Sequence, residues 1–154
     1  MHIYFCGSIR GGRQDVVIYQ KIVQKLQKYG EVLTEHVSHC DLSDKGEDAV
    51  QDGEKFIHDR DMEWLEMSDV IIAEVTQPSL GVGYELGRAM DMHKKILCLF
   101  RPSSGKSLSA MIRGAVDGSL FQVQDYKEEE VEGILEEYFN GLVKVCTSKV
   151  PSKV

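Results

Sequence analysis

Two carboxylates, a phenol and a glycine-rich turn are the parts of this sequence that could do chemistry together. Glu85 stands in TQPSLGVGYELGRAM (76–90), where a glycine-rich loop runs into a predicted helix. A carboxylate there is solvated, complements the positive end of the helix dipole, or does chemistry. Asp61 stands in the helical stretch EKFIHDRDMEWLEMSD, whose apolar stripe is Ile57, Trp64 and Leu65. At about 100° per residue Asp61 projects between Ile57 and Leu65, onto that stripe, while Asp59, Glu63 and Glu66 point elsewhere. A carboxylate on an inward face needs a partner or a raised pKa, and structural networks use such residues as well as active sites do. Tyr4 lies in the strand-like HIYFCG (2–7). Core packing is the default for a strand tyrosine, but its phenol could hydrogen-bond a carboxylate in a crevice at the strand's end.

The turn GSIRGGR (7–13) follows that strand directly. Its flexible backbone N–H groups, the Ser8 hydroxyl and the Arg10 guanidinium, just ahead of a helix, make an anion site. It matches neither a P-loop nor the spaced glycines of a dinucleotide fingerprint, and a plain glycine-rich turn with surface arginines stays open. Ser79 and Gly81 precede the helix bearing Glu85, and Ser109 opens the short helical stretch SLSAMIRG. Ser8, Arg10, Ser79 and Ser109 could together hold one phosphate monoester, the arginine supplying the charge-assisted bond. Arg10 would also offset the phosphate's push on the Glu85 pKa. His36 could touch a ligand's base. His36, His39 and Cys40 lie close in sequence but fit no usual zinc spacing, so no metal site and no cofactor are predicted.

These groups need a frame. Strand and helix signals alternate along the chain: HIYFCG (2–7), an amphipathic run 15–30 ending at Gly30, EVLTEH (31–36), a helix over about 53–68, and DVIIAEV (69–75). A helix over about 83–94, ILCLF (96–100), a short helix over 107–115, LFQVQ (120–124) and an acidic helix complete the series. Such alternation over short loops implies a parallel sheet covered on both faces. Five strands predict a flavodoxin-like (Rossmann-like), doubly wound α/β fold of order 2-1-3-4-5. Ligands bind such sheets at the switch point beyond strands 1 and 3, so GSIRGGR and TQPSLGVG should face each other across one crevice.

At 154 residues, 42% hydrophobic and 28% charged, the chain is sized for one domain, set here at 1–140, with 141–154 a loose tail. The net charge is −7, and three lysines but no acid lie in 141–154, so the body is more acidic still. That balance opposes binding to a phosphate polymer and asks for a local device to hold any anion. No apolar run approaches the roughly 20 residues of a membrane span, and the N-terminus has no signal-like pattern. Cys6, Cys40, Cys98 and Cys146 form no C-x-x-C pair, and a disulfide framework is not expected. An intracellular protein, cytoplasmic or nuclear, is the expectation.

YFCGSIRGGR, VLTEHV, AEVTQPSLGVGYELGRA, ILCLFRP and LSAMIRGA together resemble the nucleoside 2-deoxyribosyltransferase family, in its branch acting on deoxynucleoside monophosphates. The resemblance covers about residues 2–140 and leaves the tail out. It implies hydrolysis of the N-glycosidic bond, giving a free base and 2-deoxyribose 5-phosphate. It places the nucleophile on Glu85, the assisting acid on Asp61 and the tyrosine that orients the nucleophile on Tyr4. It places phosphate binding on Gly7, Ser8, Ile9, Arg10, Gly11, Gly12 and Arg13, with Ser79 and Gly81. It also implies a homodimer in which Ser109 and Met111 come from the second subunit. Two alternatives remain at this stage. A phosphoribohydrolase would show P-G-G-x-G-T-x-x-E, which is absent, and a nucleotide sensor would have no use for both carboxylates.

Overall fold

The computed structural model describes residues 1–9, 15–38 and 53–147. Five strands form one all-parallel sheet of order β2-β1-β3-β4-β5, as the sequence predicts. They are β1 (His2–Cys6), β2 (Glu31–Val32), β3 (Val70–Glu74), β4 (Lys95–Phe100) and β5 (Phe121–Asp125). The helices are α1 (Val16–Leu26), α2 (Gly53–Met67), α3 (Leu80–Asp91), α4 (Ala110–Arg113) and α5 (Val131–Thr147).

Because side chains alternate across a strand, each central strand feeds two layers. Ile3, Phe5, Val70, Ile72, Leu97 and Leu99 pack under α1 and α5 with Tyr19, Ile22, Leu26, Leu135 and Phe139. Tyr4, Cys6, Ile71, Ala73, Ile96 and Cys98 face α2 and α3 with Leu65, Val82, Leu86 and Ala89. Tyr4 and Cys6 therefore point to the layer that carries Glu85 and Asp61. β3 is buried at all five positions, which explains its unbroken apolar reading.

Four local expectations change. The second strand stops at Val32 instead of reaching residue 36. Beyond it the Thr34 hydroxyl both accepts from the Phe5 N–H and donates to the Phe5 carbonyl, 2.8 Å each, so a side chain completes the ladder and residues 35–38 turn into a 3-10 helix. The helix of the run 15–30 stops short of Gly30: α1 ends at Leu26, with Gln27 as its C-cap. A Cβ at Gly30 would sit 2.3 Å from the Met1 carbonyl oxygen, so close approach of two backbones is what excludes a side chain there. α3 begins three residues earlier than predicted, because the Ser79 hydroxyl accepts from the Val82 N–H (3.3 Å) and caps it. Finally α5 continues to Thr147, so residues 141–147, assigned to a loose tail, are helical.

Candidate active site

The loops after β1 and β3 do face each other. Gly7 and Ile9 on one side and Gln77–Gly83 on the other line a crevice of about 1120 Å³ beyond the strand ends, at the switch point. Tyr4, Cys6, Asp61 and Glu85 also line it, with Glu54, Ile57 and His58 from α2 and Ser107–Ser109, Met111 and Ile112 around α4.

Glu85 is in the second turn of α3, because Ser79 starts the helix early, and the first turn holds no acid. Simple dipole complementation therefore does not account for it. The Tyr4 hydroxyl donates to Glu85 Oε1 at 2.8 Å from a side chain only 1% exposed. Burial pushes the Glu85 carboxyl up to about 7, the Tyr4 bond works against that rise, and the charge of Asp61 adds to it. The Cys6 thiol, on the same face of β1, also works against the rise. Burial first, then the Glu85 charge, raises both the Tyr4 phenol and the Cys6 thiol well above their ordinary values. Both stay protonated donors aimed at one carboxylate.

Asp61 comes to the crevice from α2, on the inward side of the helix, with its side chain 19% exposed. Its Oδ1 accepts from Arg60 Nε (3.0 Å) and Nη2 (2.8 Å). The Arg60 guanidinium lies 4.6 Å from the centre of the Trp64 ring, so the arginine that orients Asp61 is itself held by stacking. His36 lies in the 3-10 turn, lines the crevice and tilts against Trp64 at 5.9 Å. The neighbouring acids Asp59, Glu63 and Glu66 are exposed, as the helical spacing predicts.

The anion-binding set divides. Arg10, Gly11, Gly12 and Arg13 lie outside the described residues, as do His39 and Cys40. Gly7 is a packing glycine: a Cβ there would meet the Tyr19 ring at 2.9 Å. Ser8 is buried between Gly7 and Ile9, its N–H donating to the Tyr19 hydroxyl at 3.0 Å, and its own hydroxyl has no partner among the described residues. A buried hydroxyl without a bond costs about 1–3 kcal/mol, which an arriving acceptor would offset. Ser79 caps α3 with a lone pair and keeps its proton to donate. The space around Gly81 holds no atom closer to a notional Cβ than Ser79 Oγ at 3.8 Å, so a ligand can approach that backbone. Ser109 caps α4 by accepting from the Met111 N–H (3.2 Å). Ser109 and Met111, assigned to a second subunit by resemblance, line this chain's own crevice. Among the described residues no group of three metal-ligating side chains assembles, and no helix is long and apolar enough to cross a membrane.

Sequence reasoning missed two features. One is Cys6 beside Glu85; its place two residues after Tyr4, on the same face of β1, is the available signal. A second, buried network lies at the ends of β3, β4 and β5. Glu74, 0% exposed, takes the Thr76 hydroxyl (2.5 Å) and the Tyr126 hydroxyl (3.2 Å) on Oε1, with Arg101 Nη1 at 3.6 Å. Burial pushes Glu74 up to about 7 against the pull of those partners.

Fold and crevice together define a doubly wound α/β enzyme whose site is built around a half-buried carboxylate. The family model described as nucleoside 2-deoxyribosyltransferase matches residues 3–129. The chain belongs to that family. A protein of Esox lucius named 5-hydroxymethyl-dUMP N-hydrolase is 89% identical over 144 residues, covering 94% of this chain and 99% of the relative. The Homo sapiens protein of the same name is 62% identical over 139 residues, covering 90% and 79%. A Trichoplax adhaerens protein named putative 2'-deoxynucleoside 5'-phosphate N-hydrolase 1 is 58% identical, covering 89% and 92%. Among solved structures, Clostridium botulinum CMP N-glycosidase superposes with a TM-score of 0.59 over 88% of this chain and 99% of that one, at 20% identity, and shares the fold.

Proposed function

We propose that the protein hydrolyses the N-glycosidic bond of 2′-deoxynucleoside 5′-monophosphates, 5-hydroxymethyl-dUMP among them, to free base and 2-deoxyribose 5-phosphate. The observation that carries this is the 2.8 Å Tyr4–Glu85 bond at the centre of the crevice. It holds a carboxylate oxygen in place while burial keeps that carboxylate basic. The names of the N-hydrolase relatives support the same substrate class.

Breaking the bond builds positive charge at C1′, which an ionised carboxylate stabilises. Glu85 forms a bond to C1′ as the C1′–N bond breaks; the electron pair leaves with the base, which takes up a proton. Asp61 assists that departure, oriented by Arg60. Water then attacks C1′ of the glycosyl ester, its proton passes to solvent, and Glu85 is regenerated. The 5′-phosphate stays intact. Its binding aligns C1′ over Glu85, so remote binding energy serves the transition state. A ribose 2′-hydroxyl would crowd the nucleophile and disfavour the cation.

The test is chromatographic assay of base release across a panel of deoxynucleoside monophosphates, the matched ribonucleotides and the unphosphorylated deoxynucleosides. Losing two charge-assisted bonds predicts a fall of roughly 10²-fold or more in kcat/KM when the phosphate is absent. Nucleotides that all come through intact would overturn the reading.

The protein acts as a homodimer in this reading. Leu80 and Met111 at the crevice are 97% and 82% exposed, and Tyr84 and Met90 on α3 are about half so, an apolar rim that a second copy would cover. Light scattering should give twice the chain mass for the wild type, and Leu80→Asp should shift it to the monomer. A wild-type monomer at micromolar concentration would remove the dimer.

A further inference from the structure

The buried network at the ends of β3, β4 and β5 does no chemistry in the mechanism above, yet it reaches the element that borders the candidate phosphate site. Three consecutive strands end on polar side chains that turn toward one another: Glu74 closes β3, Arg101 follows β4, and Tyr126 follows β5. Arg101 is 8% exposed, and its backbone N–H donates to the Thr76 hydroxyl at 3.0 Å. Its guanidinium donates from Nη1 to the Tyr126 hydroxyl (3.2 Å), lies 3.6 Å from Glu74, and binds Asp15 Oδ1 through Nη2 at 2.8 Å.

Asp15 is the residue that opens α1, the position where an aspartate ordinarily caps the first-turn amides. It makes no side-chain cap bond. Its carboxylate is 13% exposed and is spent on Arg101 instead. The beginning of α1 is thus tied to the end of β4. The end of β1 is tied to the same helix by other means: the Gly7 backbone lies against the Tyr19 ring, and the Ser8 N–H donates to the Tyr19 hydroxyl at 3.0 Å. Tyr19 is 0% exposed and cannot move without disturbing the core. Beside these two fixed points stands the buried Ser8 hydroxyl, which has no partner among the described residues.

We propose that Arg101 is a positioning residue for phosphate binding: clamped by Glu74 and Tyr126, it holds the Asp15 carboxylate away from the α1 amides and fixes the start of that helix beside Ser8. Arg101 does not touch the phosphate. Its charge is directed at Asp15 and Glu74, and a helix start fixed in advance lowers the ordering cost of binding. The inference rests on the proposed deoxynucleotide substrate but concerns the phosphate end only.

The test compares Arg101→Gln, Arg101→Lys and Asp15→Asn with the wild type by two readouts. The first is the ratio of kcat/KM for a deoxynucleoside monophosphate to that for the parent deoxynucleoside. The second is calorimetric titration with inorganic phosphate, which needs no turnover and reads the proposal even if no base is released. Misplacing an anion site slightly should lower the ratio and the phosphate affinity by roughly 10-fold or more in Arg101→Gln and in Asp15→Asn, chiefly through KM. Arg101→Lys, which keeps the charge and one donor, should recover part of both. Should Arg101→Gln fail to fold, Asp15→Asn, which leaves the strand-end network in place, decides alone. Equal losses on both substrates, or unchanged phosphate binding in Asp15→Asn, would overturn the proposal. So would tighter phosphate binding in Asp15→Asn, because it would mean that freed Arg101 meets the anion itself.

Discussion

Glu85→Gln should release base from deoxynucleoside monophosphates roughly 10⁴-fold or more slowly than the wild type, as loss of a covalent nucleophile does when the rest of the site still binds. Gln keeps the carbonyl oxygen that accepts from the Tyr4 hydroxyl, so the 2.8 Å contact and the α3 packing survive. Stability then separates chemistry from unfolding. Glu85 has a folded-state pKa of about 7 against an ordinary value of 4.5. Between those values the folded chain holds a proton that the unfolded chain has released, so stability contributed by the protonated form is lost as pH rises from 4.5 through 7. Above 7 the ionised, half-buried carboxylate costs on the order of 1–3 kcal/mol, after allowance for its partial exposure. Glu85→Gln removes that cost. The variant should denature in urea at pH 8 at a higher midpoint than the wild type, and the two curves should draw together near pH 5. An inactive variant less stable than wild type at pH 8 would point to a structural carboxylate, and one retaining a tenth of wild-type turnover would exclude the nucleophile.

The sheet order and the meeting of two loops were legible because both follow from apolar periodicity and chain connectivity, which leave few topologies. Helical spacing likewise placed Asp61 inward and left Asp59, Glu63 and Glu66 outside. What stayed hidden depends on contacts between residues far apart in sequence. Nothing in EVLTEH announces that Thr34 will finish the ladder from its side chain and end the strand at Val32. Glycines are ambiguous in the same way. Nothing in the sequence announces that Gly7 leaves room for the Tyr19 ring or Gly30 for the Met1 carbonyl. The Glu74–Arg101–Asp15 network left only a faint trace, Glu74, Arg101 and Tyr126 at the ends of three strands in DVIIAEV, ILCLFRP and FQVQDY. Each looks like a strand boundary alone; together, at the carboxyl edge of a parallel sheet, they form one buried system.

Asp61→Asn and Tyr4→Phe should move the acidic limb of the pH–rate profile in opposite directions. Glu85 attacks only as a carboxylate, so kcat/KM for the wild type should climb with pH through about 7, and at pH 6 roughly a tenth of the free enzyme is competent. Asp61 raises the Glu85 pKa through its charge, whereas the Tyr4 hydrogen bond lowers it. Removing the charge at 61 should carry the limb to lower pH. Removing the phenol at 4 should carry it to higher pH. Position alone does not set the rate, because Asp61 also assists departure of the base. Asp61→Asn should therefore lose roughly 10² to 10⁴ in kcat at its plateau, the usual range for a general acid–base group. Tyr4→Phe, which leaves both carboxylates, should keep most of its plateau and lose activity mainly below pH 8. The coupling runs through Glu85, so in Glu85→Gln neither second substitution should shift the residual profile. Parallel shifts in the two single variants would mean that the limb reports another group, with the substrate phosphate the first to test by repeating the profile on the unphosphorylated deoxynucleoside.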